Sequence, residues 1–371
     1  MRRSLLALAI TLLAVNGVAA QEGAVPSGTL QEAAVPGVLA RVVDAVIRPG
    51  YRSFHAAADD LERTTAALCE APSAASLDAA KSAFAAAVSR WSEIEIVRDG
   101  PAIAQNRFER LLFYPDRKGT GLKQVQAAIA NRDETATAPA SLRGKSVAMQ
   151  GLGALEFVLY GSGAEALLGE KRGYRCRYGA AIAGNIAAIA GELAAEWDAP
   201  DGVGKAWKAP GPGNPLFRSD AEAVTAVLGI MVHGAETVRD QRILPFYRGT
   251  KAGTPDKGRP KSALYWRSGL TVASLHGNIA GLRRLWETAD MARLVEPGFQ
   301  SVAGSVDFLL KALDRSLAEA PLPVEAMLAD AAERQRLDFV LLTSRDLIAR
   351  LNRDYGGAIG LGAGFSFADG D

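Results

Sequence analysis

Histidine is scarce in this chain, with three in 371 residues: His55, His233 and His276. None stands in a His-Glu-x-x-His pattern, so a zinc hydrolase of that kind lacks its ligands. No phosphate-cradling glycine loop is present, and Gly151-x-Gly153 precedes no strand–turn–helix unit. No Ser/His/Asp arrangement stands out either. Charge of one sign is also missing. The 42 Lys and Arg residues face 41 acids, so no net field draws the chain to nucleic acid or anionic lipid. Strand signals are absent, with no period-two alternation of apolar and polar residues. Beyond the N-terminus, no stretch reads as long and apolar enough to cross a membrane, and a membrane-spanning chain is not expected.

The first residues read as an export signal. Arg2 and Arg3 form a positive start, Leu5 to Val15 an apolar stretch too short to span a bilayer, and Val18-Ala19-Ala20 a small-residue cleavage site. No cysteine sits at that site, which argues against a lipoprotein. A periplasmic protein cleaved after Ala20 is the expectation. Cysteine is limited to Cys69 and Cys176, and in an exported chain oxidation is the default. A single disulfide tying two early helices is expected; a reactive thiol or a thiolate metal ligand is the alternative.

What the sequence has in abundance is helical periodicity. Val38 to Val46 and Phe54 to Leu68 read as amphipathic runs split at Pro49-Gly50. Ser73 to Val97 starts on a serine cap, and Glu95 falls in line with Leu77 on its apolar stripe. Ala102 to Tyr114, Leu122 to Ala130, Ala140 to Tyr160 and Tyr174 to Trp197 complete a first set. Residues 200–218 are rich in Pro and Gly and read as a linker. A second set follows: Asp220 to Leu244, then a basic loop from Gly249 to Lys261, then Ser262 to Ala289, Phe299 to Ala318 and Val324 to Leu351. The expected class is all-α, with two antiparallel four-helix-type bundles side by side, residues 28–199 and 219–371. The Gly-rich tail from Gly356 is expected to fold back on the second bundle.

The most informative stretch is Gln150 to Gly161. On a helix, Leu152, Leu155 and Leu159 form one stripe, and Glu156 lies within about 40° of Leu152. A carboxylate facing a core must meet a cation, a metal or a proton, because an isolated buried charge is too costly.

This stretch resembles the signature of the imelysin-like family, G-x-H-x-x-E followed by an apolar run. Gly151 and Glu156 occupy its ends, and Gly153 stands where the family's histidine belongs. Trp91, Glu95, Gly100 and Pro101 resemble the family's W-x-x-x-E…G-P segment. Phe113 to Asp116, Tyr265 to Leu270 and the G-F-x-x-x-D-G-D ending resemble further family motifs. The likeness runs from about Arg41 to the C-terminus, closest to exported members that have lost the histidine. It implies two helical bundles with a site between them, a role in bacterial iron uptake, and a peptidase label resting partly on the missing imidazole.

Glu156, Glu95 and Asp116 are the candidate metal or ligand residues, since hard cations favour carboxylate oxygen. Trp91, Gly151, Gly153, Arg107, Glu236, Arg239 and Arg267 are the candidate lining. The alternatives are plainer: a buried ion pair of Glu156 or Glu95 with Arg98, Arg107 or Arg267, and a turn or cap role for Asp116. His233 and Glu236 have ligand spacing on a helix, but His233 points about 180° from the stripe and is expected in solvent. His276, beside its own stripe, is expected to be structural. No catalytic residue is assigned. The leading reading is a non-catalytic periplasmic protein of iron acquisition, binding a metal, a metal complex or an envelope partner, with iron or another divalent metal as the implied cofactor. A metallopeptidase and a ligand-free scaffold are the alternatives.

Overall fold

The computed structural model describes residues 28–251, 253–318 and 322–362. The export signal at residues 1–20 and the last part of the tail, 363–371, lie outside the described residues.

The class is all-α. Helix α1 spans Val35–Arg41, α2 Arg48–Glu70 and α3 Ala74–Ile94. The short α4, Arg107–Leu111, leads to α5, Thr120–Asn131, then α6, Pro139–Leu142, and α7, Leu152–Tyr160. After α8, Tyr174–Asp198, come α9, Val203–Lys208, and α10, Asp220–Glu236. The chain ends with α11 Thr271–Ala289, α12 Gln300–Ala318, α13 Val324–Ala329, α14 Ala331–Ala349 and α15 Gly356–Ala358. Four residues of strand do occur: β1, Thr250–Lys251, pairs antiparallel with β2, Thr254–Pro255.

Several helices end where side-chain chemistry ends them. Ser73 caps α3 by accepting from the Ser76 amide, and the Ser76 hydroxyl accepts from the Ser73 amide in return. Asp330 likewise caps α14 through the Glu333 amide at 3.0 Å.

Other boundaries differ from the sequence expectation. Pro49-Gly50 does not split the helical run, because a widened π turn at Val42–Ile47 precedes it and Pro49 sits in the first turn of α2. The helix is continuous there, with the Arg48 amide donating to the Val43 carbonyl, and the wider turn gives the proline ring room. The expected helix over Ala140 to Tyr160 is broken, with α7 beginning only at Leu152 after an extended Gly151. Residues 263–270 are a loop, not helix, and Tyr265 takes a left-handed φ of 58°. The Pro/Gly-rich stretch contains α9.

Packing runs through the whole chain. α2 lies along α3 and α8, α7 packs on α8, and α11 packs on both α3 and α12, with α14 against α12 and α10. The α3–α11 seam is close: a Cβ on Gly281 would stand 2.1 Å from the Glu93 carbonyl oxygen, so only glycine permits that approach. The segment Val35–Ile47, expected with the first set, also packs on α10 and α11. Two helices, Tyr174–Asp198 and Asp220–Ile243, are long and apolar enough to cross a membrane, contrary to the sequence reading; both are largely buried in the interior.

A disulfide joins Cys69 at the end of α2 to Cys176 at the start of α8, with Cα atoms 5.5 Å apart. It closes a loop of 107 residues, which in the chain-entropy view adds about 4–5 kcal/mol of stability. At the other end, the Gly28 amide donates to the Gly357 carbonyl and Ile359 is buried, so the described part of the tail does pack against the body.

Candidate functional site

Gly151 and Gly153 open α7 and do opposite things. A Cβ on Gly151 would lie 2.3 Å from the Leu111 carbonyl oxygen and 2.5 Å from that of Arg110. The residue must be glycine for the end of α4 to pack there. A Cβ on Gly153 would meet nothing within 4 Å. Instead it would project into a cavity of about 1080 Å³, and Glu156 lines the same cavity one turn further on. The walls come from both halves of the chain: the turn at Phe113–Asp116, α7, the π turn Thr237–Ile243 and the loop leading to α11.

Glu156 is buried. Its Oε1 accepts the Ser268 amide at 2.9 Å and the Ser268 hydroxyl at 2.8 Å. Burial pushes its carboxyl above the usual carboxylate range, against the opposing pull of the Ser268 hydrogen bonds and the Arg267 charge. The partner is a hydroxyl and amide first and a cation only second. The Arg267 guanidinium stacks over the rings of Trp266 and Phe157, at 4.4 and 5.4 Å from their centroids, a contact suited to its planar charge.

Glu95 does not face Glu156 across this cavity. It lines a second cavity of about 940 Å³ with Arg242, Asn278, His233 and Glu236. Its Oε2 accepts from Arg242 at 2.9 Å and its Oε1 from the Asn278 amide at 2.7 Å. This is a buried ion pair, made with Arg242 and not with Arg98, Arg107 or Arg267. Removing one member of such a pair typically costs about 3–5 kcal/mol. Between the two carboxylates lies Tyr265, fully buried and lining the Glu156 cavity. Burial first, then the charges of Glu95 and Glu156, hold its hydroxyl protonated well past the ordinary range.

Asp116 does border the Glu156 cavity. Both its oxygens serve α5, accepting the Thr120 amide at 2.9 Å and the Leu122 amide at 3.1 Å. Glu156, Glu95 and Asp116 therefore do not converge on one point: both oxygens of Glu95 and of Asp116, and one of Glu156, accept from other donors. Among the described residues no three His, Cys, Asp or Glu side chains gather into one metal-holding group.

Of the other expected lining residues, Gly151, Gly153, Arg239 and Arg267 border the Glu156 cavity, and Glu236 borders the second one. Trp91 borders neither: it is fully buried between Phe54 and Phe108. Arg107 is turned to α8, where it pairs with Glu192 at 2.9 Å and Glu196 at 2.7 Å. Arg98 pairs with Glu109 at 2.6 Å. His233 is half-buried, not in solvent, with its Nδ1 3.1 Å from Glu236 Oε2, and it borders the second cavity. His276 meets Asp314 at 3.1 Å.

The residues that sequence reasoning missed are Ser268, Arg242 and Tyr265. Ser268 and Tyr265 lie within the Tyr265–Leu270 segment, which was read as helix. The positive φ of Tyr265 and of Gly269 could be suspected only at Gly269.

The family model described as Imelysin, whose short name labels it a peptidase family, matches residues 47–351. A search of curated proteins finds no match. An imelysin-like protein from Psychrobacter arcticum 273-4 shares the fold with a TM-score of 0.74 at 18% identity, over 91% of this chain and 99% of that one. A protein from Parabacteroides distasonis ATCC 8503, provisionally named iron-regulated protein A precursor, gives 0.71 at 16% identity, over 91% of this chain and 96% of that one.

Proposed function

Because the chain belongs to the imelysin family, we propose that it is an exported, non-catalytic component of bacterial iron acquisition. Its ligand binds in the cavity between Gly153 and Glu156. The observation that carries this reading is the open space at Gly153. Where the family's histidine belongs, the side chain is missing and the cavity is left wider beside a buried carboxylate. A cavity of this size suits a small-molecule complex better than a bare ion. The name of the Parabacteroides relative and the N-terminal export pattern support an iron-related role in the envelope.

Catalysis is the weaker reading. Peptide hydrolysis on a metal needs a coordinated water and a base beside it. Here Glu156 has no imidazole neighbour, and its Oε1 is held by Ser268. On this reading iron is cargo and not a resident cofactor.

The test is thermal unfolding of the mature protein with Fe(II), Fe(III), Mn(II), Zn(II), haem and iron chelates, beside Glu156→Ala. A ligand at about 100 times its Kd stabilises the native state by about 2.7 kcal/mol. The expected result is a rise in midpoint with an iron species that disappears in Glu156→Ala while helical content is unchanged. No rise with any iron species would sink the proposal.

A further inference from the structure

The charge around the Glu156 cavity is lopsided. Arg239 and Arg267 stand on its inner wall, Arg117 on the facing turn, and Arg248, Lys251, Arg259 and Lys261 on the loop before α11. Against these seven cations stand three carboxylates, Asp116, Glu156 and Asp240. Two of the three are already engaged: Asp116 by the first turn of α5, and Asp240 by Arg239, a pair that offsets one of the seven cations. Burial favours the neutral form of the third, Glu156. The whole chain is nearly balanced, at +1, so this excess is a property of the cavity and not of the protein at large.

The cationic loop is held in place. Asp338 accepts the Thr250 amide at 3.0 Å, the Thr250 hydroxyl at 2.7 Å and the Tyr247 hydroxyl at 2.9 Å. Asp256 accepts the Arg248 amide at 2.9 Å, and the Arg259 amide donates to the Phe246 carbonyl at 2.7 Å. These bonds anchor the backbone at Arg248, Thr250 and Arg259 before any ligand arrives, which lowers the ordering cost of binding. Among the described residues no carboxylate hydrogen-bonds the Arg267 guanidinium. Its stacking on Trp266 and Phe157 fixes the plane of a fork that suits carboxylate or phosphate oxygens.

We propose that the ligand of this cavity is a compact polyanion, rich in carboxylate or phosphate oxygens, and that iron enters as the complex of such an anion. This rests on the reading of the cavity as the ligand site and adds the class of ligand to it. Cations that line a cleft focus the field and raise both the on-rate and the local concentration of an anion. They would repel a bare ferric ion. Binding should therefore weaken as ionic strength rises.

The experiment is isothermal titration of the full mature protein with four probes: ferric citrate, citrate alone, pyrophosphate and a neutral ferric hydroxamate. It is run in wild type, in Arg259→Gln with Lys261→Gln, and in Arg267→Gln. The first two sites are exposed, so that variant should melt like wild type. Citrate-type or pyrophosphate anions should bind, the neutral chelate should not, and the double variant should bind about tenfold or more weakly. Preference for citrate over pyrophosphate, or the reverse, identifies the anion. Equal binding of the neutral chelate, or anion binding untouched by either variant, overturns the inference. Iron binding without any response to the anion overturns it too, yet leaves the iron-acquisition reading standing. Polyanion binding indifferent to iron upholds the ligand class but overturns the second half of the inference, that iron enters as the anion's complex.

Discussion

A single buried carboxylate, Glu156, shows what a residue's sequence position can and cannot reveal. Its place on an apolar stripe follows from helical spacing alone, and its burial follows from that. Its partner does not, because Ser268 lies 112 residues away and is neither charged nor periodic. The same holds for Glu95, whose cation, Arg242, sits on a π turn across the seam. Glu156 also has a pH signature. Its folded pKa is raised above the ordinary 4.5 by burial, so the native state holds this proton more tightly than the unfolded chain does. That contribution to stability is complete below about pH 4.5 and is lost as pH rises through the folded value. Glu156→Gln keeps an oxygen for Ser268 and removes the charge. Its melting midpoint should match wild type at pH 4 and equal or exceed it at pH 7.5, with the gap widening upward. A wild type that gains on the variant as pH rises would show that the charged form is the stabilised one.

Among the elements, α7 is the most exposed to test. Its two leading glycines look alike in sequence and differ completely in surroundings. Gly151→Ala drives a Cβ into the Leu111 and Arg110 carbonyls and should destabilise by about 1–3 kcal/mol. Gly153→Ala meets open space and should stabilise by about 0.4–1 kcal/mol, since alanine restricts the unfolded chain and favours helix. Urea denaturation of the two variants reads both signs, and equal losses would mean that Gly153 is packed after all. Helix existence was legible for the long periodic runs α2, α3 and α8. Where short-range cues met tertiary demand, the cues lost: a π turn absorbed Pro49, and the close approach at Gly151 delayed the start of α7. The Tyr265–Leu270 segment was misread for the same reason, since its apolar residues point into a loop that wraps a carboxylate.

For the whole molecule, the all-α class was legible because no strand alternation competes with the 3.6-residue period. The walls of the Glu156 cavity were not, as they gather residues from 113 to 267 that no local pattern links. The seven cations there were visible only as a basic loop. Taken with the export pattern and the family, they are the basis for proposing that the protein receives an anionic iron complex outside the cytoplasm. The most direct measurement is radioiron uptake from ferric citrate by iron-limited cells lacking this gene, complemented with wild type or with Arg259→Gln/Lys261→Gln. Uptake should fall in the deletion, return with wild type and fail to return with the double variant at equal protein level. Uptake unchanged by the deletion would contradict a role in iron acquisition.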